Sequence, residues 1–255
     1  MGKNKLKKFA DMASYGCVVE CTRQQLENEE FKMKGSWNRN FFDSNFPLTL
    51  ELGCGKGEYT VNLALANPQR NFIGIDIKGA RMWTGASRIE REGIRNAGFL
   101  RTQIELIDQF FAPDEVSEIW ITFPDPQMKK VNKRLTSTRF LEMYRTIMRK
   151  DGVINLKTDS PFLYEYTRRL AIENNLEILE DTSDLYGSGG MDEATAIKTH
   201  YETQWLSRGK KIKLLRFRLH SGPLAEPDVS DLKPDDYRAL PRFNSEDKVN
   251  FGLKN

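Results

Sequence analysis

Apolar residues along this chain fall into short continuous blocks that alternate with stretches in which they recur three or four positions apart. Leu48 to Leu52 reads as a buried strand, and Tyr59 to Ala66 follows with helical spacing. Three more pairs follow: strand Phe72–Asp76 with a helix from about Gly79 to Gly93, strand Gly98–Thr102 with the short apolar segment Ile104–Phe111, and strand Glu118–Phe123 with helix Thr138–Arg149. The strand ending at Phe123 is stopped by Pro124-Asp125-Pro126, because proline cannot donate to a sheet ladder. Val153–Lys157 is a fifth strand. Thr158-Asp159-Ser160-Pro161 then opens a helix, with capping oxygens and a proline in the first turn. Leu176–Leu179 is a sixth strand region, Tyr186–Gly190 a glycine-rich loop expected to be mobile, and Lys210–Leu219 a long final strand. Strands alternating with helices predict an α/β chain: a mostly parallel sheet, an antiparallel last strand, and helices on both faces.

Composition narrows the class. A length of 255 residues suits one large α/β domain with its own core. The expected division is a basic N-terminal extension over 1–45, a domain over 46–220 and a tail over 221–255. Lys3, Lys5, Lys7 and Lys8 make the start either a solvated tail or an RNA-contacting arm. The Pro-, Asp- and Lys-rich end is expected to lie extended on the surface or to be disordered. The net charge of +3 is too small to indicate a nucleic-acid partner by itself. Cys17, Cys21 and Cys54 form no paired framework, and the start of the chain lacks the apolar core of a signal peptide, so a cytoplasmic location is expected. No stretch approaches the roughly 20 apolar residues of a membrane span. With only two histidines and no second cysteine pair, no metal site is expected.

Candidate chemistry begins at the first strand-to-helix turn. Leu50-Glu51-Leu52-Gly53-Cys54-Gly55-Lys56-Gly57-Glu58 lacks the third glycine of the dinucleotide fingerprint, where Glu58 stands. Gly53, Gly55 and Gly57, with Glu51 two positions earlier and Asp76 ending the next strand, fit another pattern. They resemble motifs I and II of Rossmann-like class I S-adenosylmethionine-dependent methyltransferases. That resemblance implies S-adenosyl-L-methionine as cofactor, with Glu51 near its methionine moiety and Asp76 on its ribose hydroxyls. S-adenosylmethionine has a cationic amino-acid end and no pyrophosphate, so nearby carboxylates suit it.

The second constellation follows the fourth strand. Asp125 sits in Phe123-Pro124-Asp125-Pro126, and five cations, Lys129, Lys130, Lys133, Arg134 and Arg139, come within the next stretch. The loop reads either as a solvated charged segment or as a grip on phosphates. Phe123–Pro126, Lys157-Thr158-Asp159 and Thr199-His200-Tyr201-Glu202 stand in that order. Over roughly Leu48–Leu219 the chain thereby resembles the bacterial tRNA (guanine-N7)-methyltransferase family, whose members methylate guanine-46 in the variable loop. The resemblance implies Asp125 at the catalytic centre and near the cofactor, and substrate contacts from Lys129, Asp159, Thr199, His200, Tyr201 and Glu202. It also implies RNA contacts over Val131–Thr136; Lys130, Lys133 and Arg134 are the cations expected on RNA. The chain departs from the family at Gln127, usually Trp, at Asn132, usually His, and at Gln103, in place of a cofactor-contacting Asp. Gln103 can still hydrogen-bond the adenine amino group.

Guanine N7 carries an in-plane lone pair, so its methylation needs no base, and a chain whose histidines are His200 and His220 is not thereby excluded. A fixed carboxylate stabilises the purine as it becomes cationic, or holds the base through its N1 and amino protons. Asp125 and Asp159 can divide these tasks either way, and Asp159 also reads as a plain helix cap. Two alternatives stand beside this reading. An exocyclic-amine RNA methyltransferase would carry Asn/Asp-Pro-Pro and an aromatic, which Asp125-Pro126-Gln127-Met128 does not match. A non-catalytic RNA-binding protein of the same fold would have no need of Glu51, Asp76 and Asp125 together. The sequence leaves monomer and homodimer equally open.

Overall fold

The computed structural model describes residues 3–236. The chain opens with α1 (Lys3–Ser14), β1 (Val18–Glu20), α2 (Arg23–Asn28) and α3 (Trp37–Asn40). It continues through β2 (Leu48–Leu52), α4 (Glu58–Ala66), β3 (Asn71–Asp76), α5 (Gly79–Glu92) and β4 (Ala97–Arg101). A tight helical turn at Ile104–Gln109 leads to β5 (Val116–Thr122), α6 (Thr138–Ile147), β6 (Met148–Thr158) and α7 (Pro161–Glu173). β7 (Glu177–Thr182), α8 (Glu193–Ala196), α9 (His200–Leu206) and β8 (Lys213–Arg218) complete it.

The strands form one eight-stranded sheet in the order β1-β4-β3-β2-β5-β6-β8-β7. Every pairing is parallel except those of β8, which runs antiparallel between β6 and β7. This is the α/β arrangement expected from the alternation of blocks. The central strands read as continuous apolar runs because helices cover both faces; all five residues of β2 are buried. Alternate residues feed two cores. Leu50, Ile73, Ile119, Leu163 and Tyr144 pack in one, and Tyr59, Phe72, Phe99, Trp120 and Leu214 in the other. Ser160 accepts from the Leu163 N–H at 2.9 Å ahead of Pro161, so α7 starts where its capping residues predict.

The N-terminal segment differs from a tail. β1 extends the sheet edge, with Val18 to Glu20 in register with Phe99 to Arg101. Trp37 is fully buried, donates its indole N–H to the Phe110 carbonyl at 2.9 Å and stacks on Phe111. Three residues of strand and one aromatic among polar neighbours give too little periodicity to read. The segment 222–236 runs extended, with Leu224, Val229 and Leu232 packed on the core; the tail beyond residue 236 lies outside the described residues. Among the described residues no helix is long and apolar enough to cross a membrane.

The topology fixes where a ligand goes. Connections leave β2 toward β3 on one side, while β5 lies on the other, so the sheet order reverses at β2. A crevice opens there, beyond the carboxyl ends of the strands.

Candidate active site

The turn from β2 to α4 lines a cavity of about 880 Å³. Gly53, Gly55 and Gly57 all lie in the left-handed region, at φ 77°, 56° and 71°. At Gly53 no atom stands within 4 Å of where a Cβ would project, whereas at Gly57 it would meet the Phe99 ring at 2.3 Å. The first glycine is therefore open to a ligand, and the third closes the loop against the sheet. Asp76, at the end of β3, accepts from the Gly55 N–H at 3.0 Å and from the Lys78 N–H at 2.8 Å. It is the brace of the loop. Ile77 beside it is half exposed, an apolar surface at the same strand end.

Glu51 faces the cavity from β2 although it is only 3% exposed. Burial drives its carboxyl up to about 7, against the pull of hydrogen bonds from Thr60 and Thr122. The Thr60 N–H donates to it at 2.8 Å and the Thr122 hydroxyl at 2.8 Å; the Thr60 hydroxyl donates as well. A cation brought into this cavity would favour the ionised form.

Asp125 follows β5 and lines the same cavity. The Phe123 N–H is held by the Lys157 carbonyl at 2.8 Å, continuing the strand pairing. Phe123 and Gln127 then adopt positive φ, 48° and 46°, so the chain reverses sharply on both sides of Asp125. The Gln127 N–H donates to Asp125 Oδ1 at 3.0 Å, fixing the carboxylate in an Asx turn. Two unfavourable backbone conformations thus flank one exposed carboxylate.

The wall opposite in sequence comes from Thr199, α9 and the turn that follows it. The Thr199 hydroxyl accepts from the Glu202 N–H at 3.1 Å and Glu202 accepts from the Thr199 N–H at 3.3 Å, a reciprocal cap of α9. The His200 N–H donates to Glu58 at 2.8 Å, which joins the start of α9 to the start of α4. Tyr201 projects its ring between Phe123 and Trp205, at centroid distances of 5.6 Å from each. Glu202 is fully buried and ion-paired with Lys157 at 2.9 Å. The Lys157 ammonium also donates to the carbonyls of Thr195 at 3.0 Å and Ile197 at 2.8 Å and to the Tyr186 hydroxyl at 3.3 Å. Its burial lowers its pKa, and Glu202 opposes that shift.

The structure thus gathers Glu51, Gly53, Gly55, Asp125, Thr199, His200 and Tyr201 around one cavity. Other expected residues stand elsewhere. Asp159 is buried beyond β6, its carboxyl raised by desolvation, with Lys213 donating to its carbonyl at 3.2 Å. Gln103 is exposed, two residues past the end of β4. Lys129 and Lys130 point to solvent, and Lys133 pairs with Glu105 at 3.0 Å. Arg134 departs from an outward-facing role: it is 4% exposed, donates to the carbonyls of Gln127 at 3.2 Å and Met128 at 2.8 Å, and stacks on Phe162 and Tyr166. Its charge holds the loop's shape. The cavity also recruits Lys56, from within the glycine turn, and Arg81 and Arg208, cations with no motif around them.

The family described as "Putative methyltransferase" matches residues 45–215. A tRNA (guanine-N(7)-)-methyltransferase of Bacteroides thetaiotaomicron is 54% identical over 243 residues, covering 95% of this chain and 96% of its own. One of Oceanobacillus iheyensis is 34% identical over 70% of this chain and 83% of its own. Among solved structures, the 16S rRNA methyltransferase KamB aligns with a TM-score of 0.56 at 15% identity, over 75% of this chain and 95% of its own. A likeness at that identity shows the class I methyltransferase fold alone. The curated relatives go further: this chain belongs to the tRNA (guanine-N7)-methyltransferase family.

Proposed function

We propose that this protein transfers the methyl group of S-adenosyl-L-methionine to N7 of guanine-46 in the variable loop of tRNA, in the cytoplasm. The observation that carries the reading is a single cavity walled by an open glycine loop, a pinned Asp125 and an aromatic face at Tyr201. The residues present fit the cofactor. Gly53 leaves its backbone approachable, Glu51 and Asp125 offer negative charge to a cation, and Asp76 is already oriented by two N–H donors for the ribose hydroxyls. S-adenosylmethionine supplies an electrophilic methyl group on a sulfonium.

The protein's own part is alignment and electrostatics. Asp125, fixed by the Gln127 N–H, stabilises the positive charge that develops on guanine, so no side chain needs to remove a proton. Tyr201 and His200 at the start of α9 border the base, while the buried Lys157–Glu202 pair sets their position from behind. Lys129 and Lys130 meet the phosphates, joined by Arg81 and Arg208 at the cavity rim. Asp159, buried just after β6 with one carboxylate oxygen that has no hydrogen-bond partner among the described residues, acts on the cavity through its charge, which adds to burial in raising the pKa of the Tyr201 phenol.

The test is mass analysis of nucleosides from tRNA incubated with the protein and labelled S-adenosylmethionine. Labelled 7-methylguanosine is the expected product, and mass mapping of nuclease fragments of the same tRNA should place it at position 46. A methylated exocyclic amine, or no label in any nucleoside, would refute the proposal.

A further inference from the structure

Fifteen residues after β8 make a set of contacts too ordered for a passive tail. Asn174, at the end of α7, exchanges two hydrogen bonds with Ala225, donating to its carbonyl at 2.9 Å and accepting from its N–H at 2.7 Å. Glu226 then accepts from both the N–H and the hydroxyl of Thr138, at 2.9 and 2.7 Å, and so caps α6; its other oxygen takes the Tyr166 hydroxyl. Asp231 holds Arg169 with two bonds, at 2.6 and 2.8 Å. Finally Asp235 accepts from the Phe162 N–H at 3.0 Å and from the Ser160 hydroxyl, both at the start of α7, while its own N–H points at Met128 Sδ from 3.0 Å.

Two of these contacts reach the loop that follows Asp125. Met128 lines the cavity, and its sulfur meets Asp235 directly. Glu226 holds Tyr166, Tyr166 lies under the Arg134 guanidinium, and Arg134 holds the carbonyls of Gln127 and Met128. The loop therefore hangs from the C-terminal segment at both of its ends. A carboxylate at the first turn of a thirteen-residue helix is in a favourable place for its charge, so the segment has a reason to stay docked.

We infer that residues 222–236 form a strap that positions the loop between Asp125 and Arg134 for tRNA, with Asp235 as its positioning residue. This rests on the function proposed above. The strap contacts described above run to α6, α7 and the loop after Asp125, so the strap acts on the transfer step and on RNA, not on S-adenosylmethionine.

The full-length protein with Asp235→Ala tests this, with Asp235→Asn as the conservative partner that keeps an acceptor for the Phe162 N–H. For Asp235→Ala we expect kcat on tRNA to fall about ten-fold, with S-adenosylmethionine affinity unchanged and most of the loss recovered in Asp235→Asn. Amide exchange of residues 127–134 should quicken at least ten-fold in Asp235→Ala while that of α4 stays at its wild-type rate. The exchange measurement needs no tRNA, so it decides the strap even if the wild-type protein fails to methylate guanine. Unchanged kcat and loop exchange would overturn the inference. So would a loss of cofactor affinity and protection throughout the protein, which would make Asp235 a general stability residue.

Discussion

Replacing Glu51 by glutamine is expected to stabilise the ligand-free protein above neutral pH and to weaken its hold on a cationic ligand. Burial at the end of β2 lifts this carboxyl from its ordinary 4.5 to about 7, with Thr60 and Thr122 restraining the shift. The unfolded chain gives up the proton near 4.5 and the folded chain near 7, so wild-type stability is fully present below 4.5 and is lost as pH rises through about 7. At about 1.36 kcal/mol per pH unit this loss is about 3 kcal/mol. Glutamine keeps an oxygen for the Thr60 N–H, can donate its amide to the Thr122 hydroxyl, and never ionises. Urea unfolding of Glu51→Gln at pH 8 should therefore exceed wild type by about 1–3 kcal/mol, and the gap should close toward pH 4.5. Cofactor binding runs the other way. S-adenosylmethionine favours the ionised carboxyl, so the wild-type Kd should rise about ten-fold from pH 8 to pH 6, while the variant binds more weakly at pH 8 and shows no such dependence. Equal stability–pH curves for the two proteins, or a wild-type Kd that is flat over this range, would refute the reasoning.

Asp125→Asn should slow single-turnover methylation of tRNA by about two orders of magnitude while both ligands still bind, since the amide keeps the size of the group and loses its charge; a wild-type rate would remove Asp125 from the chemistry. Neutralising Lys129 and Lys130 together should flatten the salt dependence of tRNA binding by about two units of log–log slope, read by filter binding in a salt series. An unaltered slope would return that part of the loop to solvent. Gly57→Ala forces a side chain into the left-handed region and against Phe99, so chemical denaturation should show a loss of about 2–4 kcal/mol; a loss below about 0.5 kcal/mol would mean that the loop is not closed there.

Most of the sheet was legible because its strands are buried on both faces and so carry unbroken apolar runs: β2, β3 and the inner half of β6 match their blocks almost residue for residue. Boundaries slipped where geometry and pattern part. β6 begins at Met148, ahead of the Asp151-Gly152 turn signal, because it pairs irregularly with β5 at Val116–Glu118. β1 was hidden, since three residues at a sheet edge leave no period. In the site, the glycines, Glu51 and Asp125 announced themselves through spacing, whereas Arg81 on α5 and Arg208 in the turn after α9 did not: a lone arginine acquires meaning only when folding brings it to a cavity. Arg134 shows the reverse. Its place in a run of cations suggested RNA, but two aromatic rings of α7, distant in sequence, take it inward. Thr199-x-x-Glu202 is also a helix-start signature, and the fold uses it as one.

The Lys157 ammonium has a consequence for the order in which the protein assembles. Four groups of the 186–202 segment, two carbonyls, a phenol and a carboxylate, converge on this one cation, which itself belongs to an interior strand of the sheet. The segment's helices are four and seven residues long, too short to persist alone. Docking therefore waits until β6 is in place between β5 and β8. The wall of the cavity that carries Thr199, His200 and Tyr201 is therefore expected to open locally more often than the sheet, which faster amide exchange over 199–206 than over β5 and β6 would show.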